Sequence, residues 1–159
     1  MSVISASNSY TITNALYPDT IYYWRVIAVD NVGNSTVMTV QDSAVFRTRL
    51  IPLPGEIVIT EIMYYPTSGD NYEWFEIYNN SNKTFNMAGW QFKDNSTYTA
   101  VFGDSDIAPY SYYVFGKSSA SWVNQTYQTI VLSNSGDRIY LYASDSTTID
   151  TVDFSVSGF

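Results

Sequence analysis

The side chains best suited to chemistry in this 159-residue chain are glutamates on and beside one strand-like segment. Glu73 and Glu76 lie in or beside residues 72–79, and Glu61 lies in an earlier strand-like segment. Paired carboxyl groups act as acid and base in glycoside hydrolysis when a cleft brings them together. The edge of a β-sandwich has no such cleft. We therefore favour hydrogen bonding to loop backbone, or pairing with Lys or Arg, and we predict that the protein is not an enzyme.

Two acidic pairs carry the oxygen ligands that Ca²⁺ prefers. They are Asp70 with Glu73 and Asp104 with Asp106. Neither pair has the D-x-[DN]-x-[DN]-G spacing of a calcium-binding loop. We expect solvated acidic turns and no cofactor, and Ca²⁺ is the alternative.

A further candidate site is an aromatic platform for sugar rings. Aromatic residues make up 17% of the chain, and alternating aromatics usually belong to a sandwich core. Tyr110, Tyr113 and Trp122 lie outside the clearest core pattern. We therefore identify these three residues as the candidate sugar platform.

The composition removes several classes of function. The chain has no Cys and no His, so thiolate metal sites, disulfides and the commonest general base are absent. Its formal charge of −8 opposes direct binding to nucleic acid. No stretch approaches the roughly 20 apolar residues of a membrane span, and the start of the chain does not resemble a signal peptide. We interpret the sequence as a piece of a larger protein.

The elements that must position these side chains are strands. Segment 72–79 alternates, with Phe75 and Ile77 on one side, and the polar cluster 79–83 predicts a turn before a second strand within 87–94. The residues predicted to be buried are Phe75, Ile77, Trp90 and Phe92. Further strands are predicted at 57–62, 98–102, 112–115, 129–132, 138–142 and 151–154. Short strands without helices indicate an all-β antiparallel sandwich.

Residues 9–49 predict three strands, at 10–13, 21–29 and 44–48. The stretch 16–34, which contains Y-Y-W-R-V-I-A-V-D-N, and the closing Phe46-Arg47-Thr48 resemble the second half of a fibronectin type III domain. The resemblance implies that Tyr22 forms a tyrosine corner. The first strands of such a sandwich are missing, so this partial domain over 1–49 is expected to lack a core of its own. The prolines of segment 50–55 predict a linker.

Residues 56–159 resemble the lamin tail domain. Five motifs occur in the order of that family: ITEIMY at 59–64, EWFEIYN at 73–79, MAGW at 87–90, LSNSGDRI at 132–139 and IDTV at 149–152. Segment 109–111 departs from the family, which usually has a Gly-containing turn there. The resemblance implies an immunoglobulin-like β-sandwich and, in prokaryotes, an accessory module of secreted or surface proteins.

The function expected from these observations is that of a non-catalytic module in a larger secreted or cell-surface prokaryotic protein. It would act as a spacer and contact a protein, the cell surface or the matrix. A carbohydrate-binding module that uses exposed Tyr and Trp, or a Ca²⁺-stabilised adhesion module, is the alternative.

Overall fold

The structure, a computed structural model, describes residues 9, 11–14, 16–17, 19–37 and 44–154. The chain divides into two compact units, Met1–Leu50 and Ile51–Phe159. Within the described ranges the one helical element is the 3₁₀ helix Asp70–Tyr72, and the other elements are strands. The prediction of an all-β fold is confirmed.

The first unit contains four short strands: β1 (Ile21–Trp24), β2 (Ile27–Val29), β3 (Ser35–Val37) and β4 (Ala44–Arg47). β1 pairs with β4, and β2 pairs with β3, both antiparallel. The prediction of one strand over 21–29 was therefore wrong. The Asp30 carboxylate accepts the backbone N–H groups of Val32 and Asn34, which closes the turn that folds β3 back onto β2.

Two further features of the first unit bear on the sequence predictions. The prediction of a strand at 10–13 was wrong for residues 11–13, which form no strand. Tyr10 lies outside the described residues. Among the described residues of this unit within 9–36 and 44–50, none is buried. The described side chains of this unit therefore enclose no core of their own.

The second unit is built from two four-stranded sheets. Its strands are β5 (Ile57–Met63), β6 (Trp74–Asn79), β7 (Phe85–Asn86), β8 (Gln91–Lys93), β9 (Thr99–Val101), β10 (Asp106–Ile107), β11 (Tyr112–Gly116), β12 (Gln125–Thr126), β13 (Arg138–Tyr142) and β14 (Thr148–Asp153). One sheet has the order β12-β11-β6-β5 and the other β14-β13-β8-β9. Only the β11–β12 pair is parallel among these ladders, and β7 pairs with β10 separately.

Strand β6 supplies the centre of the core because its side chains alternate strictly between the two faces. Phe75 and Ile77 are fully buried. The Phe75 ring lies 4.3 Å from that of Phe92 in the opposite sheet and 5.0 Å from that of Phe115 beside it. Trp90 is also buried, so the predicted burial of all four residues is confirmed.

The polar residue Asn79 ends the buried row of β6. Its side-chain amide donates to the carbonyl oxygens of Lys83 and Ala108 at 2.7 and 2.9 Å, and its side-chain oxygen accepts the Ser81 hydroxyl at 2.8 Å. A buried amide is stable only when its hydrogen bonds are made. Asn79 therefore anchors the turn after β6 to the segment that precedes β11.

The second strand predicted at 87–94 begins only at Gln91 and lies in the sheet opposite β6. Met87 to Trp90 forms a turn in which the Trp90 N–H donates to the Met87 carbonyl at 2.9 Å. Gly89 occupies the third position with φ 79°, a conformation that glycine adopts without steric cost. This turn directs the chain into the second sheet.

The two sheets meet along one side through a carboxylate. β5 and β14 are edge strands of different sheets, and Asp150 on β14 accepts the N–H of Ile59 on β5 at 2.8 Å. An edge N–H that is already bonded is not available to a strand from another molecule. Asp150 thus both joins the sheets and protects this edge.

Replacing Phe75 with Ala tests the core. We expect a loss of about 3 to 5 kcal/mol in the free energy of unfolding, because the ring fills the space between the sheets. Urea unfolding followed by fluorescence measures the change. Tyr112→Ala, an exposed aromatic on the neighbouring strand, is the control and should cost less than about 1 kcal/mol. Equal costs for the two variants would contradict the assignment of faces.

Candidate functional site

The three glutamates that suggested acid–base chemistry do not share a cleft. Glu61 and Glu76 lie opposite each other on β5 and β6, and the Thr60 hydroxyl donates to Glu76 Oε1 at 2.8 Å. Glu61 is exposed and Glu76 is half-buried, whereas Glu73 is fully buried. Catalytic carboxylates flank a substrate in an enclosed site. These three groups are distributed between an open surface and the interior.

The two predicted calcium pairs differ in geometry. Asp70 is exposed and lies 3.4 Å from the Asn134 amide, while Glu73 is buried, so the first pair does not face one open site. The Asn86 amide donates to one oxygen of Asp104 and one of Asp106, each at 2.8 Å. Across the described ranges no group of three or more His, Cys, Asp or Glu side chains could hold a metal ion. Calcium binding stays the untested alternative to the predicted solvated acidic turns.

The predicted sugar platform is not one surface. Tyr113 is 8% exposed, and its ring packs 4.8 Å from that of Phe115, so its inclusion was wrong. Tyr113 and Phe115 are two residues apart on β11 and point to the same face, a signal that the sequence contained. Tyr110 and Trp122 are exposed but flank opposite ends of β11, which spans roughly 13 Å.

Tyr110 occupies the segment where the lamin tail domain family usually has a glycine-containing turn. Its φ is 52°, in the left-handed region, where a non-glycine residue costs roughly 1 to 2 kcal/mol. The turn therefore keeps a glycine-like backbone without glycine.

Trp122 belongs instead to a groove between two loop walls of the second unit, which we call the Trp122 groove. One wall runs from Met63 to Trp74, the other from Gly116 to Val123, and they enclose about 530 Å³. Its aromatic and hydroxyl-bearing lining residues are Tyr65, Thr67, Tyr72, Trp74, Ser118, Ser119 and Trp122. Since the walls are about 50 residues apart in sequence, no local pattern could have revealed the groove.

The floor of the Trp122 groove depends on close packing. Trp74 and Trp122 contact each other in a T-shaped arrangement with ring centroids 5.5 Å apart. Gly116 pairs with Trp74 across β11 and β6, and a Cβ atom at Gly116 would lie 2.9 Å from Val123 Cγ2. Glycine at 116 therefore lets the second wall lie directly against the sheet.

A buried ion pair joins the two walls. The backbone N–H of Lys117 donates to the backbone carbonyl of Glu73 at 2.9 Å. The Lys117 side-chain Nζ lies 3.7 Å from Glu73 Oε2. Both side chains are buried. The Leu132 N–H donates to the same carboxylate oxygen at 3.0 Å.

The strand predicted at 129–132 is absent, so that prediction was wrong. One reason is that the Leu132 N–H donates to the Glu73 side chain rather than to a neighbouring strand.

The family model of the lamin tail domain matches residues 52–155, which is most of the chain. The chain belongs to the lamin tail domain family. Lamin tail domains are a non-enzymatic family of immunoglobulin-like β-sandwich modules. The two-sheet core agrees with that fold, and the predicted immunoglobulin-like β-sandwich is confirmed. The match does not extend to 9–49, so the fibronectin type III resemblance stays a prediction.

A search of curated proteins gives no match. Among the described residues, no helix has the length and apolar character needed to cross a membrane.

Two buried oxygen atoms of this lamin tail domain, Glu73 Oε1 and the Tyr127 hydroxyl, have no hydrogen-bond partner in the described part of the chain. Burial raises the pKa of Glu73, and the Leu132 N–H and the Lys117 charge offset that effect in part. Burial also raises the pKa of Tyr127, with further contributions from the charges of Glu73 and Asp94. Of these two groups, Tyr127 therefore stays a neutral phenol, and Glu73 is the one that titrates.

Replacing Lys117 with Met leaves the buried Glu73 carboxylate without its counter-charge. We expect the free energy of unfolding at neutral pH to fall by about 3 kcal/mol. The loss should shrink on acidification. Because the pKa of Glu73 is raised in the folded state, folding favours its protonated form, and this stabilisation is present at low pH and lost as pH rises through the folded pKa.

Urea unfolding of the Lys117→Met variant near pH 4 and near pH 7 checks this expectation. The control is the double variant Glu73→Gln/Lys117→Met, which carries neither charge and should recover most of the loss at neutral pH. If the Lys117→Met variant loses the same free energy of unfolding at both pH values, Lys117 does not act by compensating the charge of ionised Glu73.

Proposed function

We propose that this lamin tail domain is a non-catalytic module of a larger secreted or cell-surface prokaryotic protein. In that protein it acts as a spacer and contacts a protein, the cell surface or the matrix. The observation that carries the proposal is the self-contained sandwich: Phe75 fills the space between the sheets and Asp150 closes one edge between them. A module with a protected edge can be joined to other modules without pairing with them.

The surface chemistry supports an extracellular setting and a partner other than nucleic acid. Only 14% of residues are charged, and the net charge of −8 repels phosphate backbones. Hydroxyl, amide and aromatic side chains make up much of the surface instead. This composition fits the protein or matrix contact that we propose.

We further propose that residues 1–49 are a partial fibronectin type III-like segment, joined to the lamin tail domain by the linker 50–55. Tyr22 supports this assignment, because its hydroxyl accepts the N–H of Tyr17 at 2.8 Å, five residues upstream. A tyrosine corner makes the same kind of bond. The stacked Tyr22 and Phe46 rings, 5.5 Å apart, join β1 to β4.

The spacer role is tested by replacing residues 56–155 in the parent protein. One variant carries a Gly/Ser linker of equal length, and the matched control carries an unrelated β-sandwich of similar size. A flexible chain of 100 residues collapses to an end-to-end distance of about 50 to 60 Å that fluctuates widely. We expect the linker variant to lose activity of the adjacent domains toward a surface-attached target and to keep it toward a soluble one.

The unrelated sandwich separates the two parts of the proposed role. Recovery of activity with this control supports a spacer that needs only a rigid fold. Failure of the control to restore activity assigns the effect to specific contacts of this domain. A linker variant equal to the wild type with both targets would contradict the proposal.

Calcium-stabilised adhesion is an alternative that rests on Asp104 and Asp106, which Asn86 holds together. We expect thermal midpoints in millimolar Ca²⁺ and in EDTA to agree within about 1 °C, because the Asn86 amide already bonds both carboxylates. An ion that binds only the folded state raises the thermal midpoint. A midpoint that rises with Ca²⁺ in the wild type but not in the Asp104→Asn/Asp106→Asn variant would therefore contradict this expectation.

Carbohydrate binding is the second candidate function. Of the three residues predicted for it, Tyr110 and Trp122 are exposed. Trp122 favours this candidate more strongly, because its ring lines a groove together with other aromatic side chains.

A further inference from the structure

We propose that the Trp122 groove is a binding site for an uncharged oligosaccharide, in which Trp122 stacks against a sugar ring. The proposal rests on carbohydrate binding as the second candidate function and does not depend on the spacer role. It replaces the scattered platform of Tyr110, Tyr113 and Trp122 with a single site built from two loops.

The first argument is the presentation of aromatic side chains. Trp122, Tyr72 and Tyr65 all line the groove and are 52%, 55% and 68% exposed. Trp74 contacts Trp122 and restricts the orientation of its ring. The C–H groups on the flat face of a sugar ring are apolar. Removing them from water by packing them against an aromatic ring is therefore favourable in free energy. Large rings held in place bind at little cost in conformational entropy.

The second argument is the polar lining. Thr67, Ser118 and Ser119 stand among the aromatic residues, and Tyr65 and Tyr72 add phenolic hydroxyls. A hydroxyl both donates and accepts hydrogen bonds. The hydroxyl groups around the edge of a sugar ring need partners of this kind. Small-ligand sites typically combine an aromatic lining with a small number of positioned polar groups.

The third argument is charge. Glu73 is the charged residue in the groove lining, and it is buried and paired with Lys117. No lining residue carries a cationic side chain that could hold a phosphate, sulfate or uronate. The groove also presents no exposed carboxylate to a basic peptide. An uncharged ligand matches this lining, even though the whole chain carries a charge of −8.

The fourth argument is size. At about 530 Å³ the groove falls within the range of roughly 300 to 1,000 Å³ that small-ligand sites occupy. A folded protein partner would need a contact surface much larger than such a groove. Proline-rich peptides also bind aromatic grooves, and they are the competing occupant that the experiment must separate from a sugar.

The test titrates the full chain with uncharged hexasaccharides, namely β-1,4-linked glucose, xylose and mannose oligomers, by calorimetry. Oligogalacturonate is the charged comparison, and a decaproline peptide represents the competing occupant. We expect at least one uncharged oligomer to bind with a dissociation constant of about 1 mM or lower. Binding of the charged oligomer and of the peptide should be weaker.

Two variants assign the binding to the groove. Trp122→Ala should weaken binding at least about tenfold, because the stacking surface is removed. Tyr110→Ala is the matched control: its side chain is 60% exposed but lies outside the groove, so its affinity should equal that of the wild type. Thermal melts of both variants verify that they remain folded.

Three results would overturn the proposal. They are no binding of any uncharged oligomer, equal binding by the wild type and Trp122→Ala, or Trp122-dependent binding of the peptide but not of the sugars. None of these results bears on the spacer role, because that role is measured by the activity of adjacent domains in the parent protein.

Discussion

The buried face of strand β6 is the constraint on which the rest of the lamin tail domain depends. Alternation places Phe75 and Ile77 inside, and Phe75 contacts both the neighbouring strand and the opposite sheet. The same alternation places Glu73 before them and Asn79 after them in the interior. A single row of side chains therefore supplies the apolar centre of the core and a buried polar group at each end.

Each of these two polar residues organises loops that hydrophobic packing alone would not fix. Asn79 bonds to backbone carbonyls in two loops, that of Lys83 after β6 and that of Ala108 before β11. Glu73 accepts the Leu132 N–H and pairs with Lys117. Buried polar groups are costly unless they are bonded, so their partners must stay in place. Glu73 thereby holds the loop that carries Trp122 against the wall that carries Tyr72, and the geometry of the groove follows from an interaction in the core.

The two units solve the problem of burial differently. The lamin tail domain covers its apolar residues with a second sheet and closes one edge with Asp150. The described strands of the first unit pair in twos, and none of their side chains in 21–36 and 44–47 is buried. Besides strand pairing, its organisation depends on local bonds, such as those of Asp30 within one turn and of Tyr22 with Tyr17. Local bonds of this kind define turns but do not replace a hydrophobic core.

The sequence by itself determined the all-β class, the family and the buried face of β6, because alternation and ordered motifs are properties of the chain alone. It misplaced Tyr113, which lies on the same face as Phe115, and it predicted a strand at 129–132 that does not form. Only the tertiary structure decided that Glu73 lies beside Lys117, and that Trp122 contacts Trp74 and lines one groove with Tyr72. Those residues come from loops far apart in the chain. Their meeting depends on which strands pair and how the loops pack, and local periodicity carries no information about either.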